Sequence, residues 1–147
     1  MTSRGFRIVL VVLLAVLTLQ GWTGDTVNIF APVTSITPPG SFGLFAGLEQ
    51  LGSFAVWHGA EGILLSFLSI AVFAASFLWS GSRGVRIASL LGLFFVFSAA
   101  YGGYEFVMSG LSDAGASAQM GGSFIGAYAF YFIALYYSRN TQEAKLN

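Results

Sequence analysis

The chain has 147 residues, of which 56% are hydrophobic and 8% are charged, and its net formal charge is zero. Ordinary soluble domains carry roughly 25% charged residues, so this composition excludes a soluble fold and predicts an integral membrane protein. The absence of cysteine excludes disulfides, thiolate metal sites and iron–sulfur clusters. The chain also has no basic run long enough to indicate nucleic-acid binding.

Four apolar stretches follow one another along the chain, at residues 6–24, 54–79, 87–108 and 116–137. Each is close to the roughly 20 residues that a helix needs to cross a bilayer. Because backbone amides in lipid must be hydrogen-bonded internally, all four stretches are predicted to be helices. We therefore predict an all-α fold, with residues 1–147 forming a single four-helix transmembrane domain.

The basic residues predict the orientation of these spans. Each one lies before the first span, between the second and third, or after the fourth: Arg4, Arg7, Arg83, Arg86, Arg139 and Lys145. Under the positive-inside rule, this pattern predicts that both the N and the C terminus are cytoplasmic. A cleaved signal peptide is the alternative interpretation of the first span. No small-x-small cleavage pattern follows Leu19, so we expect the span to be retained.

The longest connection is the outer loop between the first and second spans. Pro32, Pro38 and Pro39 predict that its first half is extended. From Ser41, a candidate N-cap, apolar residues recur every three positions, as they do on an amphipathic helix. These residues are Phe42, Phe45, Leu48 and Leu51. A short helix is predicted here, which either lies in the membrane interface or extends the second span.

Small residues recur at helical spacing in every span and predict the faces on which the helices pack. The candidates for helix packing are Gly24, Gly62, Ser66, Ser69, Gly102, Gly122 and Gly126. In the fourth span, Phe124, Tyr128 and Tyr131 lie on the side opposite the small residues. We therefore expect these three aromatic side chains to face lipid.

Polar side chains that are rare inside membranes are concentrated toward the predicted outer leaflet. They are Gln20, Asn28, His58, Glu61, Glu105 and Gln119. Ionisable groups within a span are costly and usually face protein or water, so such a cluster indicates a ligand-binding or proton-handling site. The alternative is structural: the glutamates reach interfacial water, and His58 is a hydrogen-bonded packing residue beside the interfacial Trp57.

The segment Leu19–Phe30 and the motif that opens the second span resemble a group of small four-span prokaryotic membrane proteins. In that group, Leu-Gln-x-x-x-Gly-x-x-x-Asn followed by Ile or Leu closes the first helix, and His-x-x-x-Gly begins the second. This chain has the matching residues Gln20, Gly24, Asn28, His58 and Gly62. The activity of the group is uncharacterised, so the resemblance implies a fold rather than an activity.

A looser similarity links the chain to four-helix membrane heme proteins of the heme A synthase type, which carry a histidine at the outer end of paired helices. His58 is the only histidine here, so it is the only candidate metal ligand of that kind. The fourth span has Gln119 and Met120 near the place where the resemblance implies a second histidine. No cofactor is therefore predicted, and heme b bound through His58 is kept as the alternative.

The sequence thus predicts a small multi-pass protein of the cell membrane that is a non-enzymatic accessory or binding subunit. One alternative is a small b-type cytochrome or heme-handling protein, and another is a component of an oligomeric transporter or channel. The expected partners are the lipid bilayer and other membrane subunits or further copies of the chain. Nucleic acid is not expected as a partner.

Overall fold

The computed structural model describes residues 3–30, 35–39, 43–79 and 82–143. These residues form five α-helices and, within the described ranges, no strand. The helices are α1 (Ser3–Phe30), α2 (Leu44–Gln50), α3 (Ser53–Trp79), α4 (Arg83–Met108) and α5 (Ala114–Glu143). All but α2 are long and apolar enough to cross a membrane. The all-α prediction with four candidate spans is confirmed, and α1 continues beyond the predicted end at Gly24.

The four long helices form a ring in which each helix packs against two neighbours. Helix α1 contacts α3 and α5, and α4 contacts the same two helices. Across the described residues, no contact joins the diagonal pairs α1 with α4 or α3 with α5. Neighbouring helices are antiparallel, so the chain is an up-and-down four-helix bundle.

The bundle therefore has two distinct ends. The α2 end contains α2, the described loop residues 35–39 and the turn between α4 and α5. The termini end contains the starts of α1 and α4 and the ends of α3 and α5. The antiparallel arrangement places the arginines that the structure describes at the termini end: Arg4, Arg7, Arg83, Arg86 and Arg139.

The apolar core runs along the bundle axis toward the termini end. Helix α1 buries Phe6, Leu10, Leu13 and Leu17, which recur at three- and four-residue spacing and so share one face. Tyr131 of α5 is among the largest fully buried side chains. Its ring lies against Gly92 of α4, where an added Cβ would come within 2.7 Å of the Tyr131 Cζ.

The prediction that Tyr131 faces lipid is therefore wrong. Phe124 points inward as well, because an added Cβ on Gly21 of α1 would lie 2.9 Å from its ring. Gly122, predicted to be a helix-packing residue, lies on the outer surface, with no atom within 4 Å of where its Cβ would be. The reason is that α5 contributes large side chains, which occupy the gaps left by glycines on α1 and α4.

Helix α2 packs over the end of the bundle against α3 and α4. Leu48 reaches Gly59 of α3, where an added Cβ would lie 2.5 Å from the leucine Cδ1. The backbone N–H of Ile36 donates to the carbonyl of Gly110 at 3.4 Å, which ties the loop to the α4–α5 turn. Residues 41 and 42, with the predicted N-cap, lie outside the described residues.

Candidate functional site

The closest contact between α1 and α3 lies in the half of the bundle nearer the α2 end and involves the only histidine. A Cβ added at Gly24 of α1 would lie 2.9 Å from His58 Cε1, so only glycine leaves room for the imidazole against this helix. One turn further along, a Cβ on Gly62 would lie 3.6 Å from the Gln20 Nε2. Glycines on both helices thus allow the two polar side chains to enter the interface.

Gln20 forms hydrogen bonds to both the ring and the backbone of His58. Its Nε2 lies 3.1 Å from His58 Nδ1 and 3.3 Å from His58 Nε2, and it donates to the His58 carbonyl oxygen at 3.1 Å. The backbone oxygen of His58 can only accept a hydrogen bond, so the Gln20 amide is oriented with its nitrogen, and not its oxygen, toward this atom. The Gln20 Oε1 is then buried and has no partner among the described residues.

Thr23 connects the imidazole to a carboxylate. Its hydroxyl donates to Glu61 Oε2 at 2.7 Å and lies 3.1 Å from His58 Nδ1. A hydroxyl has one proton, so Thr23 can donate to only one of these two groups. The shorter contact, to the charged carboxylate, is the favoured hydrogen bond. The arrangement is satisfied by a His58 tautomer that donates from Nδ1 to Thr23 and accepts at Nε2 from Gln20.

These four residues, Gln20, Thr23, His58 and Glu61, are called the polar cluster below. Thr23 is buried, and the other three are partly buried. The cluster joins α1 to α3 through side-chain hydrogen bonds inside the candidate membrane spans. An imidazole and a carboxylate bridged by one hydroxyl can bind a hydrogen-bond donor or pass a proton between them.

The other predicted site residues do not join the polar cluster. Glu105 interacts instead with the hydroxyl of Tyr101, one turn away on α4, which can donate to its carboxylate. The Gln119 Nε2 donates to Ser98 Oγ at 3.3 Å, across the contact between α5 and α4. The side chain of Asn28 lies outside the described residues. Helices α1 and α4 are diagonal in the ring and make no contact within the described residues. Glu105 is therefore not in contact with Gln20, although both lie toward the same end of the bundle.

Several of the predicted packing residues line close helix contacts. A Cβ on Gly102 would lie 2.8 Å from the backbone oxygen of Ala116, and one on Gly126 would lie 2.7 Å from the Phe95 ring. Ser69 is completely buried, and the Ser66 hydroxyl donates to the carbonyl of Gly62 at 2.9 Å. Gly24, Gly62, Gly102, Gly126 and Ser69 therefore lie between helices, whereas Gly122 does not, and the Ser66 hydrogen bond stays within α3.

The surroundings of His58 do not fit an axial ligand of heme. Both of its ring nitrogens have hydrogen-bonding partners, and the carbon between them is packed against Gly24. An iron atom would have to occupy this same edge of the ring, which would require α1 and α3 to separate. No group of three or more His, Cys, Asp or Glu side chains that could hold a metal ion occurs in the described part of the chain.

Two polar features were missed in the sequence. The first is Thr23, which lies three residues after Gln20 on the same helix face, a spacing that could have indicated it. The second is a pair of completely buried hydroxyls nearer the termini end, on Ser89 and Tyr131, in the same half as the predicted packing residue Ser69. Tyr131 is close enough to Ser69 to interact with it, but none of the three hydroxyls has a partner in good hydrogen-bond geometry among the described residues.

When the chain is compared with protein-family models, curated proteins and solved structures, none of them matches it. The resemblance to the four-span prokaryotic group therefore stays a prediction. The function of the chain is inferred from the geometry of the polar cluster and from the surface of the bundle.

Proposed function

We propose that the chain is a non-enzymatic membrane subunit that recognises a ligand or a partner protein through the polar cluster. The observation that carries this proposal is the hydrogen-bonded set of four polar side chains that α1 and α3 bury within two candidate spans. Burying polar groups in a span is costly, and packing alone can be achieved with small apolar residues, as in the contact between α4 and α5 at Gly102. The cost of the cluster favours a role beyond holding the two helices together.

The chemistry of the cluster favours a hydrogen-bond donor as the group it recognises. Among the described residues, Gln20 Oε1 is a buried acceptor without a partner, and the Glu61 carboxylate accepts one hydrogen bond, from Thr23. A carboxylate has about four acceptor sites, so most of its capacity remains for another group. We infer that the partner presents N–H or O–H groups to this side of the bundle.

The proposed location is the outer leaflet of the cell membrane. The arginines of the described chain lie at the termini end, and the positive-inside rule assigns that end to the cytoplasm. The polar cluster, in the half nearer the α2 end, would then face the exterior. Labelling of a cysteine introduced at Ser82 from outside intact cells would contradict this orientation.

The experiment that tests the proposed function measures association in gently solubilised membranes. Native mass spectrometry of the wild-type protein should detect a co-purifying subunit or small molecule, and Gln20→Leu should reduce its occupancy. Thr18→Val is the matched control, because Thr18 hydrogen-bonds Tyr128 on the α5 side of the same helix, away from the cluster. Equal occupancy in wild type and Gln20→Leu, with both proteins folded, would contradict the proposal.

The outward face of α5 supports a partner that is itself a membrane helix. Small residues are exposed on this face: Gly115, Ala118, Gly122 and Ala129. Interfaces between membrane helices are enriched in such residues, because they let two helices approach closely. Because the chain has no cysteine, Gly122→Cys gives a single cross-linking position. In membranes treated with a mild oxidant, we expect Gly122→Cys to form disulfide-linked dimers with a second copy of the chain, and Ile63→Cys on the exposed face of α3 to form far fewer. Equal cross-linking would indicate random collisions.

A further inference from the structure

A half-open groove lies beside the polar cluster, between the end of α1 and the start of α3. Its volume is about 510 Å³, and its lining residues are Trp22, Asp25, Thr26, Ile29 and Phe54. This volume falls within the roughly 300–1,000 Å³ range of small-molecule sites. Phe54 and Thr26 lie about one helical turn from His58 and Thr23 respectively, so the groove is adjacent to the cluster but separate from it.

The walls of the groove are apolar and exposed. Trp22, Ile29 and Phe54 are 61%, 72% and 50% exposed, so at least half of each residue is uncovered. Tryptophan at the end of a span is typical of the headgroup level of a bilayer. The groove is therefore placed to receive a lipid headgroup at the end of α1, with the acyl chains extending from it toward the bilayer centre.

The polar groups of the groove are acceptors. Asp25 contributes an exposed carboxylate, and the Thr26 hydroxyl donates its proton to the Trp22 carbonyl at 2.8 Å, which leaves its lone pairs available. The indole face of Trp22 attracts cations as well. A carboxylate, a hydroxyl oxygen and an aromatic face together match a positively charged group that carries N–H donors.

The charge of this end of the protein complements a cation. Asp25, Glu49, Glu61, Glu105 and Asp113 all lie toward the α2 end, and the sequence has no Lys or Arg between Arg7 and Arg83. An anionic lipid headgroup would be repelled here, whereas an ammonium group would be attracted. The excess of carboxylates at this end thus favours a lipid with an ammonium group over an anionic lipid.

We propose that this groove is a binding site for a lipid with a primary ammonium headgroup, such as phosphatidylethanolamine. The ammonium group pairs with the Asp25 carboxylate, donates a hydrogen bond to the Thr26 oxygen and lies against the Trp22 indole. The acyl chains extend from Trp22 toward the bilayer centre past the exposed Leu19 of α1, and Ile29 and Phe54 lie beside the headgroup. The site does not depend on the polar cluster, and its test uses none of the cluster residues.

The test reconstitutes the full chain in nanodiscs containing equal parts of phosphatidylethanolamine, phosphatidylcholine and phosphatidylglycerol. Native mass spectrometry after release then reports which lipid stays bound. We expect phosphatidylethanolamine to be retained over the other two. Asp25→Asn should reduce this enrichment about two- to five-fold, the effect of losing one exposed ion pair. Trp22→Leu should reduce it by about the same factor, through loss of the cation–π contact.

Two matched controls separate the groove from the general properties of this end of the protein. Glu49→Gln removes an exposed carboxylate of α2, and Trp57→Leu removes a tryptophan of α3 that is 66% exposed. Neither residue lines the groove, so both variants should retain the wild-type enrichment. Equal losses in Asp25→Asn and Glu49→Gln, or equal retention of phosphatidylethanolamine and either other lipid by the wild type, would overturn the proposal.

Discussion

The two halves of the bundle are held together in different ways. Toward the α2 end, hydrogen bonds between side chains join α1 to α3, and the polar cluster fills the space left by Gly24 and Gly62. Toward the termini end, large rings fill similar spaces, as where Tyr131 packs against Gly92. In that half, the buried hydroxyls of Ser69, Ser89 and Tyr131 lack partners in good geometry among the described residues, whereas the Ser76 hydroxyl donates to the Phe73 carbonyl.

The difference shows what a glycine in a membrane helix provides. Lipid removes the hydrophobic driving force between helices, so association depends on packing and on hydrogen bonds between side chains. A glycine leaves a gap, and the neighbouring helix determines whether an aromatic ring or a polar side chain occupies it. The candidate site lies in the half whose gaps are occupied by polar side chains, where the unused acceptors include the Gln20 amide oxygen.

The largest effect is expected from closing the gap occupied by Tyr131. Gly92→Ala would place a methyl group within 2.7–2.9 Å of three atoms of a fully buried ring. Overpacking of this kind costs about 1–3 kcal/mol, so the free energy of unfolding should fall by that amount. Reversible unfolding in mixed detergent micelles measures the change.

Gly122→Ala is the matched control for this substitution. The added methyl group meets no atom within 4 Å, so only helix propensity changes, and the protein should be unchanged or more stable by up to about 1 kcal/mol. If both alanine variants were destabilised equally, the packing of Tyr131 against Gly92 would not be what holds the termini half together.

A smaller effect is expected from breaking the polar cluster. Thr23→Val keeps the shape of the side chain but removes the hydroxyl that Glu61 and His58 share. Leaving a partly buried carboxylate without this donor should cost about 1–2 kcal/mol of unfolding free energy. The same micelle titration provides the measurement.

Thr18→Val tests whether the position of the hydroxyl matters. Thr18 is exposed and hydrogen-bonds Tyr128 at 3.0 Å, so its loss should cost about 0.6 kcal/mol or less, the average for hydrogen bonds between membrane helices. A Thr23→Val variant no less stable than Thr18→Val would show that the cluster contributes nothing to the contact between α1 and α3.

Much of the fold could be predicted from the sequence. Span length and the need to pair backbone amides in lipid are sufficient to identify four helices, and the structure has four helices of that kind. The short helix in the loop also exists, from Leu44 to Gln50, because its apolar spacing matches the surface it covers on α3 and α4.

The site could be predicted only in part. Gln20 and His58 meet because each lies opposite a glycine on the other helix, and the small-residue faces containing Gly24 and Gly62 were visible in the sequence. Glu105 does not join the polar cluster because α4 is not a neighbour of α1 in the ring. The order of the helices around the ring cannot be predicted from the pattern of any single helix. The faces of α5 were assigned correctly only in part. Gly126 of the small-residue stripe packs against Phe95, but Gly122 lies outside, and Tyr131 fills the gap at Gly92 of α4.

The smallest expected effect concerns the hydroxyls without partners. Ser89 is completely buried on α4, and its Oγ has no hydrogen-bond partner among the described residues, so Ser89→Ala should leave the free energy of unfolding unchanged or raise it slightly. Ser98→Ala is the comparison on the same helix, because Ser98 Oγ accepts from Ser123 at 2.8 Å and should contribute about 0.6 kcal/mol. If Ser89→Ala instead destabilised the protein as much as Ser98→Ala, an ordered water would have to bridge the Ser89 hydroxyl to its neighbours. The termini half would then also depend on hydrogen bonds, and the contrast between the two halves would be one of degree.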